Sequence, residues 1–241
     1  GLSLYEDSER LEISAEGGLQ YETYSDGGEG DELLFSFDGR ARYRIIPGRL
    51  SWVAEDYFEQ IRVEELRTQT PANRQDVNLF WTGPDFEYDL TPVDTLILGA
   101  RYGNVSYEDT PADNDRLQGS VRWEHALSQA LEMSANYQVL TVDYDREATL
   151  FDDGRVTLVT DDFTRSDLFG QLLYEGRLWR MQLEGGYTQV DRSDLDDVDG
   201  PLLGAVLTRE LPQDSSAGLR VRGQYTDSGA NLVAETVIPS S

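Results

Sequence analysis

The chain has 241 residues and a formal net charge of −26, from 46 acidic residues and 20 basic residues that are all arginine. This charge argues against nucleic acid as a partner, because phosphate binding needs a positive surface. The absence of cysteine excludes disulfides, thiolate metal sites and cysteine nucleophiles.

No segment approaches the roughly 18 consecutive apolar residues that a membrane-spanning helix requires. The first residues, Gly1 to Leu4, have neither the basic nor the apolar region of a signal peptide. We therefore expect any signal peptide to have been removed or to be absent from this sequence.

Apolar and polar residues alternate with period two along most of the chain, the spacing that sends successive side chains to opposite faces of a sheet. The pattern is sharp where Phe35, Phe37 and Tyr43 oppose arginines 40, 42 and 44. In chain order it predicts eleven strands, at about 10–23, 33–45, 49–58, 76–89, 94–108, 116–126, 131–145, 166–176, 178–190, 201–210 and 217–227.

Short and long connections alternate between these strands. The short ones are turns such as Ile46-Pro47-Gly48, whereas polar and mostly acidic segments lie near 24–32, 59–75, 109–115, 146–165 and 192–199. An up-and-down barrel threaded through an outer membrane has this arrangement, with tight periplasmic turns and longer extracellular loops.

Bacterial barrels have an even number of strands, so an odd count needs a further strand. Residues 230–238 supply a candidate twelfth strand. The chain end lacks the terminal aromatic residue usual in such barrels, which suggests a fragment of a larger barrel.

Two strands depart from the simple pattern. In the fourth, Val77, Leu79 and Trp81 are odd-numbered while later apolar residues are even-numbered, which predicts a β-bulge at Gly83-Pro84. In the tenth, Leu202 and Leu203 are both apolar, which suggests that its inner side packs against an apolar partner.

The fold class is therefore predicted to be all-β, as one domain over residues 1–241 that forms an antiparallel transmembrane barrel of about 12 strands. The alternative is a soluble β-sandwich or open sheet that serves as a binding domain, whose strands also alternate. Strands of 11 residues or more favour the barrel, because soluble strands usually have about 5–6 residues and membrane strands about 9–11.

In a barrel the polar residues of each strand would face the lumen. The predicted lumen-lining residues are Arg40, Arg42, Arg44, Arg122, Glu124, Glu132, Arg180, Glu184, Arg220 and Arg222. Rings of charge select solutes in pores. An acid–base pair of a glycosidase is the less favoured interpretation, since its two carboxyl groups need a defined separation.

The single histidine, His125, shares its parity with Trp123 and lies near a short turn. We expect a structural role at the membrane interface, and the sequence predicts no catalytic residue and no cofactor. Asp194, Asp196, Asp197 and Asp199 are weak candidates for binding a cation such as calcium, although a solvated loop is the favoured interpretation.

Several segments resemble a known family: TPANRQDVN (70–78), LGARY (98–102), YED (107–109), NDRL (114–117), WEHALS (123–128) and GPLL (200–203). The chain from about residue 33 to 229 is similar to porin-like outer-membrane β-barrel proteins associated with PEP-CTERM/exosortase exopolysaccharide loci. The resemblance implies an outer-membrane location and a link to polysaccharide or surface-protein export, without supplying catalytic residues.

We therefore expect a passive channel or export-associated barrel in a Gram-negative outer membrane, in contact with lipid or lipopolysaccharide and with polysaccharide or export machinery as further partners. The alternative is a non-conducting structural barrel whose acidic loops bind cations or a partner.

Overall fold

The segments with alternating apolar and polar residues form β-strands in the computed structural model. The structure describes residues 1–22, 32–62, 74–108, 112–145, 161–193, 195–211, 215–226 and 229–237. Thirteen strands lie within these ranges: β1 (Leu2–Asp7), β2 (Leu11–Glu22), β3 (Glu32–Ile46), β4 (Leu50–Arg62), β5 (Arg74–Thr91), β6 (Asp94–Tyr107), β7 (Asn114–Ala126), β8 (Leu131–Tyr144), β9 (Phe163–Glu175), β10 (Trp179–Arg192), β11 (Val198–Leu211), β12 (Ser215–Thr226) and β13 (Gly229–Val237). No helix in the described part of the chain could span a membrane.

Each strand is hydrogen-bonded to the strand before it and the strand after it in the chain, in the order β1 to β13. The prediction of an all-β, antiparallel, up-and-down sheet is thereby confirmed. Among the described residues, β1 and β13 are the two ends of this order, and no pairing between them closes it into a barrel.

Twelve of the thirteen strands match predicted segments. The candidate strand at 230–238 is confirmed as β13, while β1 was not predicted because its six residues are too few to establish a period. Several strands extend into predicted loops, and these extensions remain paired. For example, Ile61 of β4 and Gln75 of β5, which both lie in the predicted loop 59–75, are cross-strand partners.

The predicted bulge at Gly83-Pro84 is wrong. The register of β4 with β5 continues without a shift from Leu50↔Phe86 to Arg62↔Arg74. Strands β5 and β6 approach each other closely at this point: a Cβ added to Gly83 would lie 2.0 Å from the carbonyl oxygen of Ala100 on β6. Val77, Leu79 and Trp81 therefore lie on the same face as Gly83.

The turn between β3 and β4 shows why its residues were recognisable. Pro47 precedes Gly48, whose φ of 70° is favoured by glycine, and the amide of Arg49 donates to the carbonyl of Ile46 at 3.0 Å. A register shift between Arg44 and Ile46 precedes this turn. We call the strand ends joined by such short connections the turn ends, and the opposite ends the loop ends.

The chain divides into two compact units, and the first contains the described residues of Gly1–Phe86, Ala100–Gln118 and Val142–Asp162. Its apolar face carries residues such as Ile13, Tyr43 and Trp52. Its polar face carries the even-numbered residues of β2 and β3 and the odd-numbered residues of β4 and β5, as the registers require. Asp56 interrupts the apolar face, opposite Gly39, and its Oδ1 is buried without a hydrogen-bond partner in the described structure.

The second unit contains the described residues of Glu87–Gly99, Gly119–Thr141 and Phe163–Ser241. On its polar face Ser134, Asn136 and Thr188 are buried, with exposures of 4%, 7% and 0%. On its apolar face Leu168 and Leu203 are 61% and 59% exposed. Burial in this unit is therefore the reverse of that in a water-soluble sheet, which covers its apolar side.

Candidate functional site

The polar face of the first unit is arranged in transverse rows, because each cross-strand pair of residues points to the same side of a sheet. One row contains Glu12, Arg42, Val53 and Gly83, and the next row toward the loop end contains Ser14, Arg40, Glu55 and Trp81. A further row follows toward the loop end, with Glu16, Asp38, Tyr57 and Leu79.

The three predicted arginines of β3 all point to this face, and each meets a carboxylate. Arg44 lies 3.0 Å from Glu12 and 3.4 Å from Asp7, and it donates to the carbonyl of Ser8 at 2.7 Å. Arg40 lies 3.3 Å from Glu55. Arg42 lies 4.0 Å from Asp85 and next to the buried Val53.

The sequence reasoning missed the best-formed ion pair of this face, between Arg101 and Asp85. One nitrogen of Arg101 lies 2.7 Å from both carboxylate oxygens, and another donates to the carbonyls of Pro84 and Ala100 at 2.9 and 3.0 Å. The two side chains are 17% and 23% exposed. The parity of β6, in which Leu98 and Tyr102 oppose Arg101, was a signal that could have found it.

The loop end of this face has a different character. Glu16, Asp38 and Glu59, which we call the loop-end carboxylates, make no ion pair among the described residues. They line a cavity of about 580 Å³, most of whose lining residues belong to the polar face. Gly18 is among its lining residues, and an added Cβ there would lie 2.5 Å from the hydroxyl of Ser36.

Arg122, Glu124 and Glu132 come together on the polar face of the second unit. Arg122 lies 2.6 Å from Glu124 and 3.6 Å from Glu132. It also reaches over β8 to donate to Gln171 of β9 at 3.4 Å. The cross-strand partner of Gln171 is Glu184, which places this residue on the same face.

Arg180 lies at the turn end, where it pairs with Glu175 at 2.9 Å. Both side chains are more than half exposed, at 64% and 56%. This pair is therefore solvated, in contrast to the pair of Arg101 and Asp85.

A second cluster that the sequence reasoning missed surrounds Asp167. Arg165 lies 2.9 Å from its carboxylate, and the fully buried hydroxyl of Thr188 donates to it. Thr188 is the cross-strand partner of Asp167, and Leu202 lies one row away, 2% exposed. Of the two leucines of β11, Leu202 is thus buried on the polar side while Leu203 is exposed, and the apolar partner expected on the inner side stays a prediction.

His125 lies beside Trp123, as predicted, and its ring stacks on the indole at 5.7 Å. Its Nδ1 is 2.8 Å from Asp94, which also accepts a hydrogen bond from Thr91 at the end of β5. The histidine is thus held by a carboxylate at the turn end, consistent with the structural role expected of it.

Three predicted residues lie outside what the structure describes: Asp194, and the side chains of Arg220 and Arg222. Asp197 accepts a hydrogen bond from the amide of Arg192 at 3.1 Å. The described residues include Asp196 and Asp199. Among them, no group of three or more potential metal ligands occurs. Cation binding in this loop stays a prediction.

The ten predicted lumen residues thus include eight whose side chains the structure describes. Seven of these lie on the polar faces together with carboxylate or arginine partners, and Glu184 lies there beside Gln171. That these faces line a lumen stays a prediction. No protein-family model matches the chain, and no curated protein matches it either.

Proposed function

We propose that the chain is an outer-membrane β-barrel whose apolar faces contact lipid and whose polar faces line a water-filled interior that conducts small solutes passively. The observation that carries this proposal is the reversed burial of the strands. Leu168 and Leu203 are exposed while Asn136 and Thr188 are buried. In water such a surface is unfavourable, at about 25 cal/mol per Å² of apolar area, whereas lipid removes this cost.

Exposed aromatic residues lie at both edges of an apolar band on the strands. On β10 the exposed Trp179 and Tyr187 are eight residues apart, as are Tyr43 and Phe35 on β3. At roughly 3.3 Å per residue, eight residues extend about 26 Å along the strand, which corresponds to about 20 Å along the membrane normal for a strand tilted by about 40°. Outer-membrane barrels carry two aromatic girdles around an apolar band of about 25 Å.

The proposal includes closure of the sheet. An antiparallel ring needs an even number of strands, and β2 to β13 are twelve strands of nine residues or more. β1 has six residues, fewer than the roughly nine that a membrane strand needs. Closure then places β13 on the edge of β2 that β1 occupies.

A non-conducting barrel is the second candidate, because ion pairs bridge neighbouring strands across the polar faces. Arg122 reaches over a whole strand to Gln171, which is the behaviour of a side chain that fills an interior. The link to exopolysaccharide or surface-protein export rests on the sequence resemblance alone.

The test uses two neighbouring residues that point in opposite directions. Leu183 is midway between Trp179 and Tyr187 on the apolar face, and Gln182 is on the polar face. Leu183→Arg should destabilise the protein folded in phospholipid vesicles by about 2–4 kcal/mol, the cost of arginine at the bilayer midplane. Gln182→Arg should cost much less.

Folding is followed by quenching of tryptophan fluorescence with brominated lipids and by the heat-dependent shift of the folded protein in gel electrophoresis. Conductance steps in planar bilayers then separate the channel from the non-conducting barrel. A wild-type protein that stays monomeric in water without detergent, with Leu183→Arg harmless, would refute the membrane proposal.

A further inference from the structure

Arg209 differs from the paired arginines of the second unit in the face that it occupies. Arg122, Arg165 and Arg180 lie on the polar face, and each has a carboxylate oxygen within 2.9 Å. Arg209 is the cross-strand partner of Trp179, so it lies on the apolar face at the turn end. It makes no ion pair and no side-chain hydrogen bond with the described residues.

The contact that holds Arg209 leaves its hydrogen-bond donors available. Its guanidinium carbon lies over the indole of Trp179, 5.2 Å from the ring centroid. This attraction comes from the π electrons of the ring, so the five N–H donors of the guanidinium can bind another group. Both side chains are exposed, and the apolar face therefore presents an unneutralised cation at its turn-end edge.

An apolar strip begins directly beside this cation. Toward the loop end, the next three rows of β10 and β11 pair Met181 with Leu207, Leu183 with Ala205, and Gly185 with Leu203. The leucines of the strip are 39–59% exposed. Six residues separate Arg209 from Leu203, which is about 20 Å along the strand and about 15 Å along the membrane normal at a tilt of about 40°. The acyl chains of one leaflet occupy the same depth, half of a hydrocarbon core of about 30 Å.

We infer that Arg209 and Trp179 bind an anionic glycerophospholipid, with its phosphate on the guanidinium and an acyl chain on the apolar strip. The planar guanidinium matches the geometry of phosphate oxygens and forms charge-assisted hydrogen bonds with them. Tryptophan is the residue typical of the headgroup level. A free phosphate would use the cation alone, whereas an amphipathic lipid uses the cation and the strip together. This inference rests on the proposed membrane location and names the lipid that is bound there.

The net charge of the chain makes the inference easy to distinguish from general electrostatics. A protein with a formal charge of −26 repels anionic lipids as a whole. A preference for such lipids must therefore come from a local site. Removal of the single positive charge of Arg209 should abolish it.

The experiment measures the lipid preference of the full chain folded in phosphatidylcholine vesicles. Phosphatidylglycerol with brominated acyl chains is included at increasing mole fraction, and quenching of tryptophan fluorescence reports lipid at the protein surface. Brominated phosphatidylcholine is the reference. The wild type should be quenched at a lower mole fraction of the anionic lipid. Arg209→Gln should raise the fraction that gives half of the lipid-specific quenching about fivefold, the factor expected for one basic residue near an anionic surface.

The matched control is Arg180→Gln, which removes the same charge from the same end of β10. Arg180 lies on the polar face and pairs with Glu175. Its variant should therefore keep the wild-type preference for phosphatidylglycerol. The heat-dependent gel shift first shows that each variant is folded.

The outcomes separate this inference from the proposed function. Equal half-quenching fractions in the wild type and Arg209→Gln, or equal losses in Arg209→Gln and Arg180→Gln, overturn the inference and leave the membrane proposal. Loss of the wild-type preference in sodium phosphate, but not in KCl of the same ionic strength, would assign the site to free phosphate and overturn the lipid. Failure of the wild type to insert into vesicles overturns the membrane proposal and this inference with it.

Discussion

Two arginine–carboxylate pairs of this sheet have the same chemistry but different exposure, and this difference makes a sharp prediction about stability. Arg101 is 17% exposed and makes four hydrogen bonds, two of them to Asp85. Arg180 is 64% exposed and pairs with Glu175. We compare Arg101→Ala with Arg180→Ala.

The expected magnitude for Arg101→Ala lies between two limits. Exposed pairs contribute about 0–1 kcal/mol, whereas removing one partner of a buried pair costs about 3–5 kcal/mol. Asp85 would keep Arg42 at 4.0 Å as a partial replacement. We therefore expect a loss of about 2–3 kcal/mol for Arg101→Ala and at most about 1 kcal/mol for Arg180→Ala.

The assay is unfolding by urea in detergent micelles or vesicles, with linear extrapolation to zero denaturant. Asp85→Asn keeps the shape of the side chain, and its effect should not add to that of Arg101→Ala, because the two residues share one interaction. Equal losses for Arg101→Ala and Arg180→Ala would refute the argument from exposure.

Two further predictions concern single positions. Gly186→Ala should destabilise the sheet by about 1–3 kcal/mol, because its Cβ would lie 2.2 Å from the carbonyl oxygen of Leu168. Gly185→Ala should change the free energy of unfolding by no more than about 0.5 kcal/mol, because its Cβ meets nothing within 4 Å. Similar urea midpoints for the two variants would contradict the close approach of the strands. Asp56→Leu should raise the urea midpoint and increase the free energy of unfolding by about 1 kcal/mol, because it removes an unpartnered buried carboxylate oxygen from the apolar face. A lower midpoint would show that the Asp56 carboxylate has a partner under the conditions of the assay.

Much of the fold was predictable because period-two alternation depends on local sequence alone. Phe35, Phe37 and Tyr43 must lie on one face of β3 once the segment is a strand, and arginines 40, 42 and 44 on the other. The same argument failed for β1, where six residues are too few for a period to stand out. It failed again at Gly83, because a change of parity can be accommodated without a bulge when the polar face accepts apolar residues such as Trp81. The ring of Trp81 covers Gly103 of β6, where a Cβ would lie 2.6 Å from the ring.

The candidate site was less predictable, because its pairs depend on register. Arg122, Glu124 and Glu132 were predicted to share the polar face from the parity of their strands, but their contacts with one another were not predicted. Asp85 and Arg101 are separated by a short turn, but their pairing depends on strand β5 keeping its register through Gly83-Pro84, where a bulge was expected. Thr188 was missed because a threonine carries no charge signal, and its pairing with Asp167 becomes visible only when the register of β9 with β10 is known.

The order of pairing has a consequence for assembly and for change in size. Every strand of the described sheet is bonded to its neighbours in the chain, so each hairpin forms with a small cost in loop-closure entropy. Inserting or deleting two adjacent strands leaves the direction of every other strand unchanged. Such a sheet is modular in units of one hairpin: it can widen or narrow in steps of two strands, while the remaining hairpins keep their turns, their registers and their ion pairs.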